Sequence, residues 1–237
     1  MSRSRLPLLV LLPLVPMLLL LAGCGGDAKP SSAPGDKAPC SYPSDGSTAA
    51  RAVKKPPTTP PTDLPATITI ATNQGDIPVT LDAGHAPCAV NSLVSLAKQG
   101  YFDRTPCHRV TTQGYFVLQC GDPTGTGRGG PGYTFADELV DNDPRLQPCG
   151  VEAGQQYCTY NAGTVAMANA GSDTNGSQFF LVYGNSKFSP DYTVLGNMDA
   201  AGLKVVRQIA AAGVGTPNGM GPGDGSPKDP VIIADVR

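Results

Sequence analysis

Residues 165–180, VAMANAGSDTNGSQFF, hold the side chains best placed for chemistry. A short apolar strand meets a turn rich in Gly, Asn, Ser and Asp, and Gln178 then leads into two adjacent phenylalanines. Main-chain groups and amides of this kind grip a peptide, while aromatic rings exclude water beside it. The run contains no acid–histidine pair and no cluster of metal ligands. The chain has 2 histidines, and neither His85 nor His108 sits in a Ser or Asp motif that would build a hydrolase triad. His108 reads as a structural neighbour of the strand after it, and His85 as a loop residue. The glycine-rich run GDPTGTGRGGPGY at 121–133 has no Walker lysine and no helix behind it, which excludes a phosphate cradle. Metal and cofactor are not expected, because no two cysteines have C-x-x-C spacing and histidine is nearly absent.

Composition narrows the class further. The chain has 237 residues with 29 Gly, 24 Pro, no Trp and few other aromatics, a balance of turns and short strands that points to a β-rich domain. A net charge of −2 leaves no basic field for nucleic acid, and RGG at 128–130 stands alone. Arg3 and Arg5 precede an apolar run at 6–21 that is broken by Pro7, Pro13 and Pro16, too short and too kinked to span a bilayer. It ends in Leu21-Ala22-Gly23-Cys24, which is similar to a bacterial lipobox. Residues 1–23 are thus expected to be a lipoprotein signal peptide and Cys24 the lipid anchor, the competing reading being an ordinary secretory signal. The other six cysteines, Cys40, Cys88, Cys107, Cys120, Cys149 and Cys158, suit disulfides in an exported protein. Their connectivity stays open among the fifteen possible for six cysteines, with Cys149–Cys158 favoured locally.

The elements that would position the site follow from periodicity. Residues 24–65 carry Pro, Ser, Thr and Gly with almost no apolar pattern and read as a spacer, unless Cys40 pins its middle. The proline-dense KPPTTPP at 55–61 is a candidate to visit the peptide groove itself. From 66 to 237 the pattern is one domain. ATITIAT (66–72) and IPVTL (77–81) alternate with period two across an Asn-Gln-Gly-Asp turn, predicting a hairpin. Val90, Leu93, Val94 and Ala97 fall on one helical face between Pro87 and Gly100. CHRVT and YFVLQC read as a strand pair, and residues 137–162 as an irregular insertion closed by its own disulfide. Strands at 164–169, 178–183 and 192–198 precede a second helix at 200–212, and a Gly/Pro-rich loop leads to a last strand at 230–236. The count is about eight strands and two helices, an all-β fold class.

HRV at 108–110, FVLQCGD at 116–122 and the 165–180 run closely resemble the cyclophilin family of peptidyl-prolyl isomerases, over most of residues 66–237. The resemblance implies a closed eight-stranded antiparallel barrel capped by two α-helices, with the site on its outer face and no cofactor. It implies Arg109 as the catalytic cation, with Phe116 and Gln119 beside it. Val117 and Phe180 would form the proline pocket, joined by Phe188 and Tyr192 where other members carry Trp and His. Ala168, Asn169 and Gln178 would hold the peptide on either side of the proline. Strict alternation sends Phe179 to the core and Phe180 outward. Phe116 is placed by its spacing to Gln119, because this chain has about two extra residues after Arg109. Phe188 has no indole N–H, so weaker inhibition in a cyclosporin titration than for Trp-bearing members is expected.

The implied activity is cis/trans isomerisation of X-Pro bonds in unfolded or extended exported polypeptides, by a monomer anchored to the outer face of the bacterial membrane through Cys24. The alternative is a non-catalytic proline-peptide-binding or chaperone module at the same surface. Arg109 separates the two, because binding alone needs the apolar pocket more than the guanidinium.

Overall fold

A computed structural model describes residues 39–237. The leader 1–23, Cys24 and the first part of the expected spacer lie outside the described residues. The protein is mostly β with two helices, and its strands form one strongly curled sheet and one small one. In chain order these are β1 (Thr67–Thr72), β2 (Gly75–Leu81), α1 (Pro87–Lys98), β3 (Thr105–Pro106), β4 (Arg109–Thr111), β5 (Phe116–Cys120), β6 (Cys149–Glu152) and β7 (Gln155–Tyr160). There follow β8 (Thr164–Met167), β9 (Phe179–Gly184), β10 (Ser186–Phe188), β11 (Val194–Met198), α2 (Ala200–Ala212), β12 (Val214–Pro217), β13 (Asp224–Pro227) and β14 (Ile232–Val236).

The large sheet has 11 strands in the order β12-β13-β4-β5-β9-β8-β11-β2-β1-β14-β3, and the small one runs β10-β7-β6. The strand total therefore exceeds the eight expected. The surplus lies where glycine and proline hid the pattern: β12 and β13 pair within the stretch read as a loop, and β6 and β7 form a hairpin inside the expected irregular insertion. Residues 105–111 pair with β14 at one end and with β5 at the other.

The interior is a continuous apolar cluster that includes Ile70, Ile77, Val110, Leu118, Phe179 and Leu181, all nearly inaccessible. Helix α1 buries Val90, Leu93 and Val94, the face its spacing predicts. Its N-terminus has no side-chain cap of its own. The Glu138 carboxylate closes it instead, accepting from the Cys88 N–H (2.9 Å) and the Ala89 N–H (2.8 Å), an anion where the helix dipole favours one. Helix α2 is capped locally by Asp199, whose carboxylate accepts from the Gly202 N–H at 2.7 Å.

Three disulfides are formed: Cys40–Cys88, Cys107–Cys120 and the locally expected Cys149–Cys158, the last across the β6–β7 hairpin. The first changes the reading of the spacer, since from residue 39 onward the chain lies against the domain. Tyr42 is buried edge-on against Tyr133 (5.6 Å) and Phe135 (5.7 Å). Its hydroxyl donates to the Cys88 carbonyl at 2.8 Å. Arg51 reaches the carbonyls of Gly100, Tyr101 and Asp103 at 3.0, 2.9 and 2.7 Å. KPPTTPP is held on α1, with Asn91 donating to the Pro57 carbonyl at 2.8 Å, and none of its residues lines the cleft at Arg109. Composition scores such a segment as unstructured because its partners are distant in sequence.

Candidate functional site

Strand register builds the site. Arg109 on β4 lies opposite Gln119 on β5, Gln119 opposite Phe180 on β9, and Phe180 opposite Ala166 on β8. Directly paired residues point to one face of a sheet, so Arg109, Gln119 and Phe180 form a row on the outer face. The next row, Val110, Leu118 and Leu181, enters the interior.

This row opens into a cleft of about 280 Å³. Phe180 forms part of its wall, with its ring centroid 5.7 Å from Phe188 and 5.4 Å from Tyr192. Phe188 arrives on β10, which pairs with β7 of the small sheet, so the β6–β7 insertion supports the pocket from behind. Buried Tyr160 on β7 packs against Phe180, Phe188 and Tyr192. Val117 lines the cleft, and Ala168 and Asn169 line the side where it continues. Burial pushes the Tyr192 phenol up, which keeps it neutral.

Arg109 is held from three directions. Nε and Nη2 donate to the two carboxylate oxygens of Asp224 at 2.8 and 2.7 Å. Nη1 donates to Gln119 Oε1 at 3.0 Å, and Nη2 also donates to the Tyr115 hydroxyl at 2.6 Å. A guanidinium carries five N–H groups, so these bonds leave one, on Nη1, for a ligand. The Arg109 hydrogen bonds hold the Asp224 carboxyl below the usual carboxylate range, and the pairing raises Arg109 in turn. The cation is fixed at every ordinary pH.

Several expected roles move. Phe116 does not reach the cleft; its ring stacks edge-on with Tyr183 at 5.8 Å, on the side of α2. The register of β5 on β9 shifts between Phe116 and Val117: Val117 and Gln119 face the cleft, Phe116 turns to the Tyr183 side, and Tyr115, in the bend just before the strand, reaches the cleft. Tyr115 therefore occupies the place expected of Phe116, 5.1 Å from the Phe188 ring. We expect Phe116→Leu to keep kcat/KM within about twofold, as typical of a residue away from the reacting atoms, in a protease-coupled X-Pro assay.

Gln178 also changes role. Its Nε2 donates to the carbonyls of Gly127 (3.0 Å) and Gly129 (3.1 Å), and its Oε1 accepts from Gln119 Nε2 at 3.0 Å. Both N–H groups of its side chain are thus engaged within the loop, and its Oε1 holds Gln119. The Ala168 N–H is likewise taken by the Gln178 carbonyl, at 2.9 Å, so this amide is not available to a substrate backbone. Asn169 directs its side-chain amide to the Asp191 carbonyl at 2.9 Å.

The loop that holds Gln178 is itself organised by Asp122, which is fully buried. One of its carboxylate oxygens accepts from the N–H groups of Thr126, Gly127, Arg128 and Gly129 (2.7–3.1 Å). Burial alone would raise this carboxyl, but the surrounding donors more than offset that and hold it low. His108 packs beneath the same loop, and burial lowers its basicity, so the ring is neutral. Among the described residues no group of His, Cys, Asp or Glu is placed to hold a metal.

Such an arrangement suits rotation about an amide bond. The planar amide is held by resonance worth roughly 18–20 kcal/mol of barrier. A twisted amide carries a localised lone pair on nitrogen, and a fixed cation with one uncommitted N–H favours that state over both planar ones. The aromatic wall grips an apolar ring and excludes water, which strengthens the contact.

Residues 67–237 match the family described as cyclophilin type peptidyl-prolyl cis-trans isomerase/CLD. Among curated proteins, the chain is 47% identical over 217 residues to the probable peptidyl-prolyl cis-trans isomerase B of Mycobacterium tuberculosis, covering 88% of this chain and 66% of that one. It is similar at 46% identity to the corresponding protein of Mycobacterium leprae, again over 66% of its length. The chain thus spans slightly less than two thirds of these relatives. Peptidyl-prolyl cis-trans isomerase A of M. tuberculosis is 39% identical, over 72% of this chain and 91% of that one. A solved Cryptosporidium parvum cyclophilin type isomerase, crystallised in the presence of the dipeptide Ala-Pro, aligns with a TM-score of 0.55 at 28% identity, over 72% of this chain and 96% of that one.

Proposed function

The chain belongs to the cyclophilin-type peptidyl-prolyl cis-trans isomerase family, and from that membership we propose that it accelerates rotation about X-Pro bonds in exported polypeptides. The observation that carries the proposal is Arg109, fixed by Asp224, Gln119 and Tyr115 with one Nη1 N–H left over, at the mouth of an aromatic cleft. Uncatalysed X-Pro exchange takes tens of seconds or longer. Bringing it to milliseconds requires about 7 kcal/mol of transition-state stabilisation, at ~1.36 kcal/mol per decade. One charge-assisted hydrogen bond, a dry wall and immobilisation of the proline ring are effects of the right size together.

Proline enters against Phe180 and Phe188, with its carbonyl toward Arg109. Val117 and Tyr192 close the pocket, and the main chain at Asn169 flanks it. We also read the curled sheet as a closed barrel of eight strands, in which β3 and β4 are two ends of one bent strand. Pairing of residues 105–111 with both β14 and β5 supports that closure. The leader and Cys24 support a lipid-anchored protein on the outer face of the membrane, where folding proceeds without ATP-driven chaperones and slow proline steps delay it.

A protease-coupled assay on an X-Pro peptide tests the activity. We expect a first-order rate well above background for the wild type. Peptide binding without any rate enhancement would replace the enzyme with the binding-module reading.

A further inference from the structure

Next to the proline cleft lies a second one of about 400 Å³, and the two share Gln119, Ala168 and Asn169. Its glycine-rich wall, at Gly127, Gly129 and Gly130, leaves room for a side chain of the bound polypeptide. Its other boundary includes Asp45, which is outside the family-matched residues 67–237. Asp45 belongs to the N-terminal arm that the Cys40–Cys88 disulfide ties to α1.

The arm is stitched to this cleft. The Ala50 N–H donates to the Gly130 carbonyl at 2.8 Å, the Thr134 N–H donates to the Pro43 carbonyl at 3.1 Å, and Ser44 bridges to Tyr133. Asp45 Oδ1 is fixed by the Ser47 N–H and hydroxyl, at 2.8 and 2.7 Å. Among the described residues, its other carboxylate oxygen takes no hydrogen bond. Asp173 follows the same sign, one residue from the cleft residue Thr174 and hydrogen-bonded with Asp137. Arg128 is the opposing charge in the cleft lining.

We propose that the arm is a working wall of the substrate groove and that Asp45 selects clients with a cationic side chain, Lys or Arg, at a position flanking the proline. The proposal rests on the isomerase reading of the adjoining pocket and adds a specificity determinant from outside the isomerase fold. Because the carboxylate is exposed, discrimination is modest, about two- to fivefold between Lys and Glu, the scale of a solvent-exposed ion pair.

Full-length protein in detergent would be titrated with fluorescent X-Pro peptides carrying Lys, Ala or Glu at the flanking positions, with an Ala-Pro peptide as competitor. Affinity should fall in the order Lys, Ala, Glu, and the Lys/Glu ratio should shrink at 0.5 M salt, where the screening length is only a few ångströms, ~3–5 Å. Asp45→Asn should bring the ratio close to one, and Asp45→Lys should invert it, a reversal that a merely structural role would not produce. Equal binding of all peptides, a ratio unmoved by both variants, or a wild-type preference for Glu, which would assign the cleft to Arg128, overturns the inference alone. Absence of any competable peptide binding overturns it together with the isomerase reading.

Discussion

Arg109→Ala should lower kcat/KM by about 10²–10³, the effect of removing one preorganised donor from a polar transition state. It should also destabilise the protein, because Asp224 would lose its counter-charge and keep the neutral Asn218 amide as a donor, at 2.6 Å, with only 7% of its side chain exposed. Breaking a buried pair from one side costs roughly 3 kcal/mol, the low end of its range, since the guanidinium keeps some solvent contact. The double variant Arg109→Ala/Asp224→Asn separates the two effects. Thermal unfolding should show most of the stability restored, while activity stays as low as in the single variant. Recovery of activity in the double variant would show that misfolding, and not the lost cation, had lowered it. The ion pair also sets a pH dependence. The Asp224 carboxyl titrates below its unfolded value, so its contribution is complete above the ordinary carboxylate range and is lost as pH falls through the depressed folded value.

The second large effect is expected at Asp122. Asp122→Ala removes the acceptor shared by the N–H groups of Thr126, Gly127, Arg128 and Gly129. A loss of about 3 kcal/mol is expected, larger than for a single buried hydrogen bond because several donors lose their partner at once. The functional consequence follows from connectivity. Gly127 and Gly129 hold Gln178, Gln178 holds Gln119, and Gln119 accepts from Arg109. A loosened loop therefore reaches the cation through two amides, and kcat/KM should fall about tenfold, as small misplacements of a positioned group do. Hydrogen exchange should accelerate at 124–129 while α1 and β8 stay protected. Uniform acceleration across the domain would point to global destabilisation instead. This carboxyl is also held low, so its contribution too disappears on acidification below the ordinary carboxylate range.

Much of the site could be read in the sequence because its residues lie in short, regularly alternating strands. Arg109, Val117, Gln119, Phe180, Phe188 and Tyr192 line one cleft, and the opposite fates of Phe179 and Phe180 follow from a period of two. Tyr115 and Phe116 were not legible in the same way, because the register of β5 shifts between Phe116 and Val117 and Tyr115 precedes the strand. Asp224 was hidden for another reason. It lies in GMGPGDGSPKDP, where glycine and proline conceal β13, and its partner Arg109 is 115 residues away in sequence. Whether the arm docks stayed open in the sequence because composition reflects local burial, whereas Cys40, Tyr42 and Arg51 find their partners in α1 and the loops around it. The role of Gln178 depended on which carbonyls it meets, and only the folded loop supplies those.

The ends of the two sheets carry one more consequence. With β3 running on into β4, the free margin of the large sheet is β12, four residues ending in Pro217. The small sheet ends in β6 and β10, which are four and three residues long. Unfolded polypeptides recruit exposed strand edges as templates for aggregation. Under the function proposed above, every encounter with an extended client would bring that hazard close. Short margins, one of them ending in a proline that cannot donate to a ladder, give a captured chain little backbone to copy. If the cleft works as proposed, release from it need not compete with strand addition, and co-aggregation with a bound chain is disfavoured.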